Sequence, residues 1–167
     1  MMEEYKGIRI IDLPQTAVIG KAGLCTKEHN IAAELWQQAS CSFHEVAGLG
    51  LKKADGSYAG FWGAMSDESM RFLPWEEDYT RGMYLAGTEV PLDAEAPDGW
   101  TKWILPARKY LVIDVCPDTY SAVFRDTLQQ VIPGMGLCLC GAVCDYTEPS
   151  TGQSRLYFPV EENHGQN

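Results

Sequence analysis

The chain has 167 residues and a formal net charge of −10 at pH 7, with 46% hydrophobic and 22% charged residues. This length and composition predict one globular domain, over residues 1–167, that can bury a core without a metal or a disulfide. The negative charge disfavours direct binding to nucleic acid or to anionic lipid, and it favours neutral or cationic partners.

The N-terminal segment Met1-Met2-Glu3-Glu4 lacks the basic region of a signal peptide, and no apolar run is long enough to span a bilayer. We therefore expect a cytoplasmic protein without membrane association. The six cysteines show no CxxC motif and no histidine at ligand spacing, which predicts reduced and mostly buried thiols, with no metal and no cofactor. They are Cys25, Cys41, Cys116, Cys138, Cys140 and Cys144. A metal at the last three, which would share one strand face, is the minor alternative.

The first half of the chain has the pattern of a strand, a helix and two more strands. The predicted elements are a strand over 8–22, a helix over about 27–39, and strands over about 58–65 and 83–90. Pro14 should interrupt the first strand, and Thr26 is the expected N-cap of the helix. The acidic and aromatic segment 66–81 is long for a hairpin loop, and we interpret its charges as a solvated surface.

The same order returns after the turn-rich linker 91–99. The predicted elements are a strand over 100–115, a helix over about 119–132, and strands over about 137–147 and 155–160. Asp118 is the expected N-cap of this helix, and Pro133-Gly134 should end it. Residues beyond Glu161 are expected to form a loose tail.

The two halves are related by a constant spacing. Leu13-Pro14 and Leu105-Pro106 are 92 residues apart, and so are Gln37-Gln38 and Gln129-Gln130. A shared offset with the same order of elements indicates a duplicated β-α-β-β unit. The predicted repeats are 8–90 and 100–160. The expected fold is α+β, with one curved antiparallel sheet, both helices on one face, and a central ligand groove that we expect on the opposite face.

The segment GFWGAMSD, residues 60–67, places two aromatic residues between glycines. Glycine weakens a strand and often marks the close approach of a ligand or of another backbone. Alternation along the strands puts small residues beside Trp62 and beside Tyr84, which leaves room for a flat guest. We therefore predict both rings as ligand-binding residues, with the alternative that Trp62 belongs to the core. Trp100 is expected at the rim of the groove.

Glu89 is the carboxylate that stands out, because it falls within a predicted strand. A buried charge is costly unless it is paired, so Glu89 should lie at a sheet edge, pair with Lys102 or Arg108, or face a ligand. In an aromatic pocket the pKa of this carboxyl would rise, which suits general acid or base catalysis near neutral pH. Glu89 is thus the catalytic candidate, with a structural ion pair as the alternative.

The duplicated units, the tryptophan-rich middle and the ending GAVCDYTEPSTGQSRLYFPV resemble the GyrI-like effector-binding domain, over residues 8–160. The stretch from GFWGAMSD through GMYLAGTEV to PDGWTKWILP is similar to a narrower stand-alone branch, the cyclopropanoid cyclopropyl hydrolases. The resemblance implies a pocket for hydrophobic, aromatic or cationic small molecules. Members of the narrower branch hydrolyse the cyclopropane of yatakemycin-type DNA alkylators within an aromatic cage. The resemblance to them implies a role in xenobiotic resistance.

The acidic pocket residue of the family aligns with Asp145, or with Cys144 after a shift of one residue, which would reverse the strand face. No helix-turn-helix region precedes the repeats, so we do not expect a complete one-chain transcription activator. The resemblance thus implies a stand-alone binding protein or hydrolase. The alternatives are a ligand-sensing partner of a separate regulator protein and an inhibitor that docks onto another protein.

Overall fold

A computed structural model describes residues 8–163. The strands are β1 (Arg9–Leu13), β2 (Thr16–Cys25), β3 (Phe61–Ser66), β4 (Gly82–Val90), β5 (Thr101–Leu105), β6 (Arg108–Val115), β7 (Leu137–Leu139), β8 (Cys144–Thr147) and β9 (Ser154–Glu162). Helix α1 spans Ala32–Cys41, and helix α2 runs through Tyr120–Asp126, a π-helical segment Thr127–Val131, and Ile132–Gly134. Shorter turns lie at Phe43–Glu45, Ala47–Leu49 and Glu76–Tyr79.

All nine strands belong to one sheet with antiparallel pairing, in the order β1-β6-β9-β8-β3-β4-β2-β5, with β7 paired to β9. The order reads alike from both ends when each strand of one half is exchanged for its counterpart: β1 for β5, β2 for β6, β3 for β8 and β4 for β9. The two halves meet where β3 pairs with β8. The predicted α+β fold with a single antiparallel sheet is confirmed.

Prolines divide both of the long strands predicted at 8–22 and 100–115. Pro14 separates β1 from β2, and Pro106 separates β5 from β6. Proline cannot donate to a strand ladder, so the chain leaves its sheet neighbour there. As a result β1 adds to β6 and β5 adds to β2, so that each short strand extends the other half. β1 starts at residue 9 and β5 at residue 101, which are 92 residues apart, as the sequence offset predicts.

Helix α1 begins later than predicted. Thr26 is not its N-cap, because Thr26 and His29 close a separate turn with backbone hydrogen bonds of 3.0 and 3.2 Å. The His29 N–H also donates to the Thr26 side chain at 3.1 Å. The first helical N–H, that of Ala32, donates instead to Asn30 Oδ1 at 3.0 Å. The polar side chain nearest to the predicted start thus stabilises a turn rather than the helix.

The second half also departs from prediction in detail. Thr119, rather than Asp118, precedes the first residue of α2. The strand predicted over 137–147 is divided into β7 and β8 by an irregular segment. Strand β9 continues to Glu162, into the predicted tail, because its last residues pair with β7. The end of that tail, including His164, lies outside the described residues.

We had expected the charged residues of segment 66–81 to form a solvated surface, but not all of them are exposed. Asp67 is buried, and its carboxylate accepts the backbone N–H groups of Ser69, Arg71 and Leu73 at 3.3, 2.9 and 3.1 Å. Burial opposes the ionisation of Asp67, but these hydrogen bonds hold its pKa well below the usual range. Asp67 therefore organises the loop, whereas Glu68 and the acidic residues of Glu76–Tyr79 are exposed.

Both faces of the sheet are buried. The face that carries α1 and α2 holds two apolar clusters, one under each helix. The opposite face holds a third cluster, in which Trp62, Trp103, Tyr110, Tyr146 and Tyr157 are packed together. These rings fill the side where we had expected the groove. Two cavities lie on the helix face instead, the larger between α1 and α2 and the smaller beneath α1.

Candidate ligand site

A cavity of about 770 Å³ lies between the two helices, over the middle of the sheet. This volume falls within the range of pockets that enclose drug-sized ligands. The cavity is lined by residues of α2, β3, β4 and β8, by the start of α1, and by the turn at Glu76–Tyr79. Aromatic side chains provide much of its wall. They are Trp75, Tyr79, Tyr84, Tyr120 and Phe124.

The rings of this wall contact one another. Tyr79 lies edge-on to Phe124 with centroids 5.7 Å apart, which connects the turn Glu76–Tyr79 to helix α2. Tyr120 is stacked on Phe124 with the centroids 6.4 Å apart and an interplanar angle of 10°. The ring centroids of Trp75 and Tyr84 lie 6.4 Å apart. Ring faces carry a negative electrostatic potential, so such a wall attracts cationic groups.

Asp145 supplies the carboxylate of this cavity. It lies on β8 and lines the cavity, whereas its neighbour Cys144 points into the aromatic cluster on the other face. The Tyr84 hydroxyl donates to Asp145 Oδ2 at 2.9 Å, and Trp36 Nε1 donates to the Tyr84 oxygen at 2.8 Å. Because the Tyr84 oxygen already accepts from the indole, its own proton is directed toward the carboxylate.

The environment of Asp145 changes its protonation. Burial raises the pKa of Asp145 to about 7, and the hydrogen bond from Tyr84 offsets only part of that rise. Burial and the nearby Asp145 charge raise the pKa of Tyr84 well above its usual value, so Tyr84 remains a hydrogen-bond donor. The cavity therefore contains a carboxyl group that changes charge near neutral pH.

The glycines of the GFWG segment make room for groups of the protein itself. A Cβ atom at Gly63, which pairs with Asp145 across the strands, would clash with the Tyr84 hydroxyl and with the Asp145 carboxylate. A Cβ atom at Gly60 would clash with the ring of Tyr146. Gly63 is thus the residue that lets the Tyr84–Asp145 pair lie directly on the sheet.

We expect Gly63→Ala to lower the free energy of unfolding by about 1–3 kcal/mol, the usual cost of overpacking a filled site. It should also separate Tyr84 from Asp145. Gly48→Ala is the matched control, because a Cβ atom there meets nothing within 4 Å. Urea denaturation of both variants measures the difference. Equal stability of the two variants would contradict the close approach at Gly63.

The structure brings together two of the five predicted site residues, Tyr84 and Asp145. Trp62 is only 3% exposed and lies on the other face, edge-on to Tyr146 at 4.9 Å and to Tyr157 at 4.8 Å. Trp62 therefore has the position of the core alternative, and it does not line this cavity. Trp100 lines a second, smaller cavity rather than the rim of the large one.

Glu89 lies on the same face as Trp62, and it accepts a hydrogen bond from Trp62 Nε1 at 2.9 Å. The proposed ion pairs are not observed. Lys102 donates to the carbonyl oxygen of Leu92, and Arg108 donates to that of Phe72 at 2.9 Å. Glu89 is thus a neighbour of the aromatic core and is not among the residues that line the large cavity.

Sequence reasoning missed Trp36, Trp75, Tyr120 and Phe124. A signal was available for Tyr120 and Phe124, because residues four apart lie on one face of a helix. For Trp36 and Trp75 no local pattern distinguishes a cavity wall from a core. The indole of Trp75 reaches the cavity because Gly82 leaves space for its ring and Met83 accepts its N–H at 3.0 Å.

Within residues 8–163 no cluster of three or more His, Cys, Asp or Glu side chains is placed to hold a metal ion. All six cysteines are free thiols. The prediction that most of them are buried is wrong, because only Cys25 and Cys144 are buried, Cys138 and Cys140 are half-buried, and Cys41 and Cys116 are exposed. No helix in the described part of the chain is long and apolar enough to cross a membrane.

Comparison with known proteins places the fold. No protein-family model and no curated protein matches the chain. The structure of SAV2435 bound to tetraphenylphosphonium matches 92% of this chain and 93% of its own, with a TM-score of 0.63 and 16% identity. The C-terminal domain of EcmrR matches 95% of this chain and 98% of its own, with a TM-score of 0.63 and 13% identity.

The integron cassette protein VCH_CASS2, from the mobile metagenome of Vibrio cholerae, covers 94% of this chain and 97% of its own, with a TM-score of 0.62 and 13% identity. At these identities the likeness concerns the fold. The strand order reads alike from both ends, both helices lie on one face of the sheet, and the structural neighbours share this architecture. Together these findings show that the chain has the GyrI-like fold.

Proposed function

We propose that the chain binds bulky hydrophobic cations in the cavity between α1 and α2, with Asp145 as the counter-charge. The observation that carries this proposal is a carboxylate set among aromatic rings, with Tyr84 as its side-chain hydrogen-bond donor. A carboxylate has acceptor capacity for more than one donor, so Asp145 can still interact with a cation. The net charge of −10 favours the approach of such ligands.

The neighbour SAV2435 supports this proposal, because its structure contains tetraphenylphosphonium, an aromatic cation. Asp78 and Arg125 lie at the exposed margin of the cavity in this chain, and one negative and one positive side chain leave that margin without a strong bias. The preference for a cationic ligand therefore comes from Asp145 and from the ring faces around it.

We expect tetraphenylphosphonium to bind with a dissociation constant on the order of micromolar and to quench tryptophan fluorescence, since Trp75 lines the cavity. Tetraphenylborate has the same shape and the opposite charge, and it should bind far more weakly. Trp75→Phe should remove most of the quenching while calorimetry still detects binding. Equal affinity for the two ions, or no binding of either, would rule out the cation site.

We propose hydrolysis of strained cyclopropanes as a second candidate function at the same residues. The observation that favours it is the carboxyl of Asp145, whose pKa of about 7 suits proton transfer at neutral pH. In such a reaction a water oxygen bonds to a cyclopropane carbon as the strained carbon–carbon bond breaks. The electron pair of that bond moves into the conjugated ring system, the attacking water loses one proton, and the oxygen of the ring system gains one, so that the net change is the addition of one water. The cavity would hold the planar substrate between aromatic rings.

Two carboxylates can be compared directly in this reaction. Asp145→Asn should lower turnover of a yatakemycin-type alkylator by about 10²- to 10⁴-fold, the usual contribution of one acid–base group. Glu89→Gln should change turnover little, because Glu89 accepts from Trp62 on the opposite face. Mass spectrometry for the addition of one water measures both. Loss of turnover in Glu89→Gln but not in Asp145→Asn would identify Glu89 as the catalytic residue. If the parent protein does not hydrolyse the alkylator, its function at this site is binding only.

A further inference from the structure

One hydroxyl group in the wall of the large cavity is not used by the protein itself. The ring of Tyr120 lines the cavity and is stacked on Phe124, with the centroids 6.4 Å apart. Within residues 8–163 no hydrogen bond engages the Tyr120 hydroxyl, whereas the Tyr84 hydroxyl both donates one and accepts one. Tyr120 therefore offers a hydrogen-bonding group that no other part of the described chain fills.

The oxygen of this hydroxyl is accessible. Among the described residues, the fully buried side-chain polar atoms that lack a partner are the hydroxyl oxygens of Thr88 and Thr127. The Tyr120 oxygen is not one of them, and Tyr120 as a whole is half-buried. A ligand that fills the cavity displaces water from this oxygen, so the ligand either replaces the lost hydrogen bond or leaves the group unpaired at a cost in affinity.

The Tyr120 hydroxyl is also within the electrostatic influence of Asp145, which lines the same cavity. Burial raises the pKa of Tyr120 above its usual range, and the charge of Asp145 adds to that rise. The carboxylate would repel a hydrogen-bond acceptor of the ligand placed beside Tyr120. A donor with a positive charge is attracted by the carboxylate and can also donate to the phenol oxygen, so the pair favours a charged donor.

The other polar side chains of the wall are exposed or already bonded. The Thr80 hydroxyl donates to the carbonyl oxygen of Glu77 at 2.6 Å, and Asn30 Oδ1 accepts from the N–H of Ala32 at 3.0 Å. Four further polar side chains that line the cavity are exposed: Asp78, Ser121, Arg125 and Gln129. Asp145 and Tyr120 are therefore the main polar contacts for a ligand away from the exposed margin.

We propose that the charged group of the ligand is a protonated amine, which donates one N–H to Asp145 and another to the oxygen of Tyr120. A quaternary cation can meet the charge of Asp145, but it has no donor for the phenol oxygen. The aromatic walls hold the apolar body of the amine. This inference rests on the proposed cation site, and it narrows the ligands of that site from hydrophobic cations in general to aromatic amines with N–H groups.

Anthracenylmethylamine and its trimethylammonium derivative are matched probes, because they share one aromatic body and one positive charge and only the first has N–H donors. Both should bind at about pH 8, where Asp145 is ionised. Tyr120→Phe keeps the ring that stacks on Phe124 and removes the oxygen. It should weaken binding of the primary amine by about tenfold, as expected for one hydrogen bond from a charged donor, and binding of the quaternary derivative by less than about twofold. Isothermal titration calorimetry measures all four affinities.

Tyr110→Phe is the matched control, because it removes a phenol oxygen on the opposite face of the sheet and should leave both affinities unchanged. The role of Tyr120 would be overturned by equal effects of Tyr120→Phe on the two probes, by no effect on either, or by a parent protein that binds only the quaternary derivative. Each of these results would leave the cation site intact. If neither probe binds the parent protein, the cation site itself is wrong, and this inference with it.

Discussion

Asp145→Asn should weaken the binding of tetraphenylphosphonium by about 100-fold, because it removes the carboxylate that lines the aromatic cavity. Asparagine keeps the shape of the side chain and can still accept from Tyr84, so the cavity itself should persist. The affinity for tetraphenylborate should stay the same or rise, since the repulsion from a negative charge is lost. Isothermal titration calorimetry with both ions measures the two effects.

The matched control is Asp93→Asn, which makes the same change in charge in an exposed loop. Above about pH 8, where Asp145 is ionised, both variants lower the net negative charge by one, so any effect of the overall field is the same in each. A loss of affinity in Asp93→Asn as large as that in Asp145→Asn would show that the long-range field, rather than Asp145, selects the cation. Circular dichroism of both variants checks that folding is retained.

Cation binding should depend on pH in a way that follows the ionisation of Asp145. Its pKa of about 7 means that the carboxyl is mostly neutral at acidic pH and mostly charged at alkaline pH. Affinity for tetraphenylphosphonium should therefore rise about fivefold per unit between about pH 5 and pH 7, and level off above about pH 8. The same titration of Asp145→Asn should be nearly flat.

The other groups that line the cavity should not produce this profile. The pKa values of Tyr84 and Tyr120 are raised by burial and by the charge of Asp145, so both hydroxyls remain neutral across this range. Asp78 and Arg125 are exposed at the margin. A flat profile in the parent protein, together with tight binding, would contradict the assignment of Asp145 as the counter-charge.

The stability of the ligand-free protein should change in the opposite direction. Because burial raises the pKa of Asp145 above that of an unfolded aspartate, the folded state binds more protons than the unfolded state between about pH 4 and pH 7. The free energy of unfolding should therefore fall as the pH rises through this interval, and Asp145→Asn should abolish that component. Urea denaturation at a series of pH values measures it.

Local patterns in the sequence determined the kinds of element and their duplication. Pro14 and Pro106 break strands because proline has no N–H to donate, and this property is independent of the rest of the fold. The 92-residue offset identified counterpart strands for the same reason, since it compares one local pattern with another. Gly82, one of the small residues beside Tyr84, leaves space for the Trp75 ring, whereas the close approach of Tyr84 to Asp145 depends on Gly63 of the neighbouring strand.

Only the tertiary structure decided which side of the sheet carries the cavity. Alternation shows that Cys144 and Asp145 point in opposite directions, but not which of them faces the helices. That choice depends on pairing between residues far apart in the chain, such as Gly63 with Asp145. Trp62 has small neighbours like those of Tyr84, yet it belongs to the core, because the rings of Tyr146 and Tyr157 fill the space around it.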